Sequence, residues 1–228
     1  MPPRTYDELT VKQFRAFADA VGEEVPLYSR LCLSIIADKD LLDLAGGAQP
    51  GQPPPNMIFA AVHYLLRSGV DHPLAAWYQG VAGSPPLETD PYPLFRDFCL
   101  SHRDVIAGLI RNRRTQTNEV ARCLALVPAL AVIANRDDRP VSLVEIGASA
   151  GLLLTFDRYR YAYESRTWGR ADSPVVLTTE LRGHDPPLPA SVPNVATRLG
   201  IDLYPVDITN EDDVRWLDAL VWPGHEER

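Results

Sequence analysis

Apolar positions recur at helical spacing over the first 135 or so residues, then give way to short continuous runs beyond residue 140. Thr10 and Gln13 make a capping box, followed by Phe14, Phe17, Ala18 and Val21 on one helical face. A second helix is expected from near Pro26 through Leu31 and Ile35. Prolines and glycines between Gly46 and Pro55 predict a loop, after which Asn56 caps an almost wholly apolar helix, Met57–Arg67. A helix with so little polar face belongs inside a bundle. Short helical stretches are expected from Pro73 through Trp77 and over Leu94–Asn112. Another follows Glu119, kinked at Pro128.

The second half reads differently. Val141 opens an apolar run that meets the acid Glu145, then two glycines four residues apart, Gly147 and Gly151. That order predicts a buried strand, a tight turn and a helix over Leu152–Tyr161, with unpaired N–H groups at its start. Further strands are expected over Pro174–Glu180 and Val195–Val206, the latter ending at Asp207. Thr209 or Asn210 then caps a last helix, Glu211–Leu220. The fold class expected is α/β: an N-terminal helical domain, 1–135, followed by a Rossmann-like, methyltransferase-type sheet, 136–228. Three strands fall short of the five or more common in doubly wound sheets, so the sheet is expected to be incomplete and the chain a piece of a longer protein.

Composition narrows the function classes. The formal net charge of −8 argues against a nucleic-acid partner, since it repels a phosphate backbone. Cys32, Cys99 and Cys123 lie far apart without a C-x-x-C pair, so no metal site and no disulfide framework is expected. Reduced thiols and no visible signal peptide suggest a cytoplasmic protein. The longest apolar run, Cys123–Ala134, is short of the roughly 20 residues that span a bilayer, which argues against a membrane partner.

The glycine turn carries the candidate chemistry. A dinucleotide fingerprint requires glycine where Ser149 and Leu152 stand, so that reading fails at two of three positions. The pattern E-x-G-x-x-x-G over 145–151 instead resembles the first motif of S-adenosylmethionine-dependent methyltransferases. Landmarks along nearly the whole chain, among them Phe59–Leu66, Asp71–Ala76, Arg113–Val120, Val144–Leu152, Asp157–Tyr161, Arg198–Asp202 and Val206–Pro223, resemble the bacterial domain-of-unknown-function family 2332.

The family resemblance implies a fold and not a reaction; the glycine-turn motif carries the expectation of a methyl donor as cofactor, with a small molecule as the expected substrate. Glu145 would face the donor's cationic amino group, a contact worth about 4 kcal/mol at ~4 Å and an effective dielectric of ~20 before desolvation. Gly147, Ser149 and Gly151 would bring backbone close to the methionine end. Glu180 would accept the ribose hydroxyls and Asp207 the adenine amino group. His63, Tyr64, Thr117 and Asn118 are candidates for the pocket mouth, and no catalytic residue is assigned.

Each has a plainer reading: a capping or solvated acid for Glu145, an ion pair with Arg182 or another surface base for Glu180, a turn or N-cap acid for Asp207, a hydrogen-bonded core histidine for His63, and a helix cap for Thr117 and Asn118. Tyr159, Tyr161 and Tyr163 are expected to pack rather than stack on a cofactor. The functional expectation is methyl transfer to a small molecule. Its rivals are a non-catalytic ligand-binding or regulatory protein with a degenerate methyltransferase fold, and a nucleotide-using enzyme of other chemistry.

Overall fold

A computed structural model describes residues 8–78, 89–116, 118–134, 136, 139–164 and 166–224. The helices are, in chain order, α1 (Glu8–Val21), α2 (Pro26–Ile35), α3 (Lys39–Ala45), α4 (Pro54–Arg67), α5 (Tyr92–Ser101), α6 (Arg103–Asn112), α7 (Cys123–Ala134) and α8 (Glu211–Ala219). The strands are β1 (Val141–Ile146), β2 (Arg160–Tyr163), β3 (Arg166–Gly169), β4 (Val176–Thr179) and β5 (Val195–Ile201). The protein is therefore mixed α/β, and its backbone gathers into two compact units: Met1–Gln116 with Thr209–Arg228, and Thr117–Ile208. Among the described residues, no helix is long and apolar enough to cross a membrane.

The first unit is helical. Its core centres on α4, where Phe59 stacks on Tyr28 at 4.2 Å and meets Phe95 edge-on. The helix begins at Pro54 rather than after Asn56, because proline suits a first turn whose N–H groups have no helical partner anyway. Likewise Thr10 is a buried residue inside α1 and not its cap. A helix with no expectation behind it, α3, starts where the Asp38 carboxylate accepts the Asp40 and Leu41 N–H groups. The stretch 94–112 divides into α5 and α6 at His102, whose ψ of 23° breaks the helical run.

The chain returns to this unit with α8, which is capped by Asn210 accepting from the Asp212 N–H. Trp216 is buried, and its indole N–H donates to the Arg114 carbonyl at 2.8 Å. Arg113 pairs with Asp212 and with Asp213, the latter at 2.6 Å, and the Tyr64 hydroxyl donates to Asp212. These contacts are why residues 209–224 belong with the first helices instead of with the strands before them.

The second unit holds two small sheets. β1 pairs in parallel with β5, Glu145 opposite Gly200 and Ile146 opposite Ile201. The other sheet has the order β3-β2-β4, antiparallel between β2 and β3 and parallel between β2 and β4. Behind it Cys123 and Val127 of α7 pack with Phe156, Tyr161, Tyr163 and Leu177. Because α7 is part of this core, the units divide at 116/117 and not at the 135/136 step from helical to strand patterning.

One expected element is corrected. Residues 152–161 are not one α-helix: Leu152–Arg158 is a kinked 3-10 helix, with Thr155 off helical geometry and its hydroxyl turned back to the Leu152 carbonyl, and a strand begins at Arg160. Beyond it Tyr159, Tyr161 and Tyr163 alternate with less buried residues, the period of a strand. Their hydroxyls donate to the Leu152, Phe156 and Leu124 carbonyls, so all three are packing residues with satisfied polar ends. The polar stretch after them contains β3, a strand its composition did not announce.

Candidate functional site

Along β1 the side chains alternate, with Val141, Leu143 and Glu145 half-buried and Ser142, Val144 and Ile146 exposed. Period two thus sets a carboxylate on the packed face of the strand, one residue before its end. One Glu145 oxygen, Oε2, is shut off from solvent and has no hydrogen-bond partner among the described residues. Burial raises this carboxyl above the ordinary carboxylate range; nearby Arg122 opposes the shift and the Asp202 charge adds to it.

The backbone then turns through three left-handed residues, Gly147 at φ 81°, Ser149 at φ 50° and Gly151 at φ 72°. Glycine accepts this region freely, whereas serine is strained in it. Gly200 fits for a different reason: a Cβ there would stand 2.9 Å from the Ala148 Cβ, so only glycine lets β5 pass under the turn.

The protein itself already uses the turn's amides. The N–H groups of Gly147 and Ala148 donate to the Ile201 carbonyl, and Gly151 donates to Ala148. The Ser149 N–H donates to Asp202 at 2.7 Å and the Leu152 N–H to the Asn118 side chain at 2.9 Å. The expected open helix N-terminus is therefore absent at these positions. An anion-binding cradle needs free donors, so a phosphate would find little here.

Two side chains hold the turn. Asn118 spans it, donating from Nδ2 to the Ala148 carbonyl at 3.0 Å while its oxygen accepts from Leu152. Asp202, the first residue after β5, accepts from the Tyr204 and Ser149 N–H groups, which hold its carboxyl below the usual range. The Val206 N–H in turn donates to the Ser149 carbonyl at 3.2 Å.

The structure thus gathers Glu145, Gly147, Ser149, Gly151, Asn118 and Asp202 at the carboxyl end of the β1–β5 pair. Glu180 follows β4, in the other sheet, and the strand beside β1 is β5. The acid that follows the neighbouring parallel strand is therefore Asp202. Asp207 does not end that strand, which stops at Ile201; it is an exposed residue six positions beyond. The Arg198–Asp202 stretch held the signal for Asp202, an acid right after a strand-like run, and extending the strand to Val206 hid it.

The remaining candidates lie elsewhere. His63 is a buried α4 residue in the first unit, its Nδ1 3.2 Å from the Ala219 carbonyl, and Tyr64 belongs to the Asp212 network. Asn118 holds the turn instead of capping a helix, and Thr117 lies outside the described residues. Among the described residues, no three or more His, Cys, Asp or Glu come together as they would to hold a metal ion.

No curated protein and no solved structure matches the chain. A family model does match, from residue 11 to residue 228, described as "Uncharacterized protein conserved in bacteria (DUF2332)". With all but the first ten residues aligned to that model, the chain belongs to this bacterial family, DUF2332.

Proposed function

We propose that the carboxyl end of the β1–β5 pair binds S-adenosylmethionine and that the protein is a methyltransferase acting on a small molecule. The observation that carries this reading is the pair of acids, Glu145 and Asp202, at the ends of neighbouring parallel strands on either side of a left-handed turn. Ligands of open α/β sheets bind outside the carboxyl ends of the strands, so the location suits a ligand. The donor set suits a cationic one: two carboxylates are at hand, one with an oxygen lacking a partner among the described residues, while the turn's amides are largely spent. Glu145 would take the ammonium group and Asp202 the ribose diol.

When bound, S-adenosylmethionine supplies an electrophilic methyl group. The protein's part is to orient it, exclude water and hold an acceptor in line. Calorimetry with S-adenosylhomocysteine on the full chain tests the reading. Binding to wild type is expected, with Glu145→Gln and Asp202→Asn each at least about tenfold weaker, since each removes a charge-assisted contact. Asparagine at 202 has one acceptor oxygen for the two N–H groups that Asp202 serves, so thermal melts of this variant accompany the calorimetry to show that it is folded. Absence of heat with wild type, or equal affinity in all three proteins, refutes the assignment.

A non-catalytic binding protein is the second reading. It is favoured by the scarcity of a proton acceptor: in the second unit the one histidine, His184, is exposed in a proline-rich loop. Ligand binding with no methylated product across a broad metabolite panel would select it.

A further inference from the structure

Ser149 combines two unfavourable features that glycine at the same position would lack. Its φ of 50° lies in the left-handed region, and its hydroxyl is shut off from solvent with no hydrogen-bond partner among the described residues. The residue is 7% exposed. Its backbone, by contrast, is fully engaged, the N–H by Asp202 and the carbonyl by the Val206 N–H. Only the side chain is left over, and an unpartnered buried hydroxyl beside a proposed ligand site is a group that a ligand can satisfy.

The chemistry of the turn says which part of the ligand. In an α-amino acid the ammonium and carboxylate share one carbon, so a site that holds the first with Glu145 must meet the second close by. Backbone amides would ordinarily do so, but those of residues 147, 148, 149, 151 and 152 are committed within the protein. We infer that the Ser149 hydroxyl donates to the α-carboxylate of the ligand, so that the site selects nucleosides carrying an amino-acid end over truncated nucleoside thioethers. This inference rests on the reading of the β1–β5 site given above.

The experiment compares S-adenosylhomocysteine with 5′-methylthioadenosine, which lacks the amino-acid end, by calorimetry on full-length wild type, Ser149→Gly and Ser149→Ala. Thermal melts of the ligand-free proteins accompany it. Wild type is expected to prefer S-adenosylhomocysteine by about a hundredfold or more, since methylthioadenosine lacks both the ammonium held by Glu145 and the carboxylate held by Ser149, each a charge-assisted contact of about tenfold. Ser149→Gly is expected to cut that preference about tenfold, keeping the share that Glu145 supplies, to bind methylthioadenosine as wild type does, and to melt higher because strain and the buried hydroxyl are both removed. A merely structural serine would not move affinity and stability in opposite directions. Ser149→Ala keeps the strain but removes the buried hydroxyl, so it should show the same reduced preference with a smaller gain in melting temperature.

Equal affinity of wild type for the two ligands overturns the Glu145 assignment along with the inference, whereas a preference undiminished in Ser149→Gly overturns the inference while leaving the proposed site standing. So does an equal loss of both ligands in that variant, which would make Ser149 a shaper of the turn. Failure of wild type to bind either ligand overturns the proposed function itself, and the inference with it.

Discussion

Asn118 offers the sharpest test of how the turn is held. Its side chain makes two hydrogen bonds across residues 148–152, at 3.0 and 2.9 Å. Replacing it with alanine removes both, leaving the Ala148 carbonyl with the Gly151 N–H and the Leu152 N–H without its partner. Ala148 is only 3% exposed, so water cannot easily take the place of the lost donor beside Gly151; Leu152 is half-buried and its N–H is more readily rehydrated. Two net hydrogen bonds at about 0.5–1.5 kcal/mol each put the loss for Asn118→Ala at about 2 kcal/mol in the second unit. Hydrogen exchange read by mass spectrometry on peptides covering residues 147–154 reports this locally. A loss of 2 kcal/mol corresponds to roughly 30-fold faster exchange there. Asn118→Asp separates the two bonds: it keeps the acceptor for Leu152 but turns a carboxylate toward the Ala148 carbonyl. It should be at least as damaging near neutrality and recover when acid protonates it, because the carboxyl can then donate. Exchange within about twofold of wild type in Asn118→Ala, matching less than ~0.5 kcal/mol, would refute the clasp.

Three other expectations follow from the same geometry. Gly200→Ala places a Cβ 2.9 Å from the Ala148 Cβ and should cost about 1–3 kcal/mol in urea unfolding; Ala148→Gly in the same chain removes the clash, and failure of that double variant to regain stability would show the strain lies elsewhere. The two site acids should bend the stability–pH curve in opposite ways. Burial raises the folded-state pKa of Glu145, so its contribution falls as pH climbs from the ordinary carboxylate range through that raised value, and Glu145→Gln should abolish this decline. Asp202 has a lowered one, so its contribution is present above the ordinary range and disappears as pH drops through the lowered value; Asp202→Asn should flatten that acid limb, and unchanged curves in both variants would contradict the assignment. All three cysteines are buried, and burial raises their thiols, Cys123 to about 11 and the others further. None should react with a disulfide reagent at pH ~8 until denaturant is added; rapid labelling of the native protein would disprove the burial.

Much of the helical half could be read from the chain because its signals are local. The span of α2 follows from Pro26 and the apolar spacing after it, and Asn210 marks the start of α8 by the same capping chemistry that the structure displays. The order of strand, acid and glycine turn over 141–151 was likewise legible, since period two and the φ requirement of glycine act within a few residues. Where local signals competed, the reading went astray. Leu152–Tyr163 carries enough apolar residues to suit a helix, and its real structure is decided by tyrosines that reach carbonyls as far away as Leu124.

Patterning of the sequence alone settled that helices precede strands, that a carboxylate meets the glycine turn, and that the thiols are too scattered to form a framework. Strand neighbours were a matter for tertiary structure. Nothing in the composition of Pro174–Glu180 or Val195–Ile201 says which of them lies beside β1, because backbone hydrogen bonding between strands is indifferent to side-chain identity. The fit of Gly200 beneath Ala148 accompanies the choice of β5. With it the acid beside the turn became Asp202 rather than Glu180, and Asn118, remote in sequence, became the residue that holds the turn in shape.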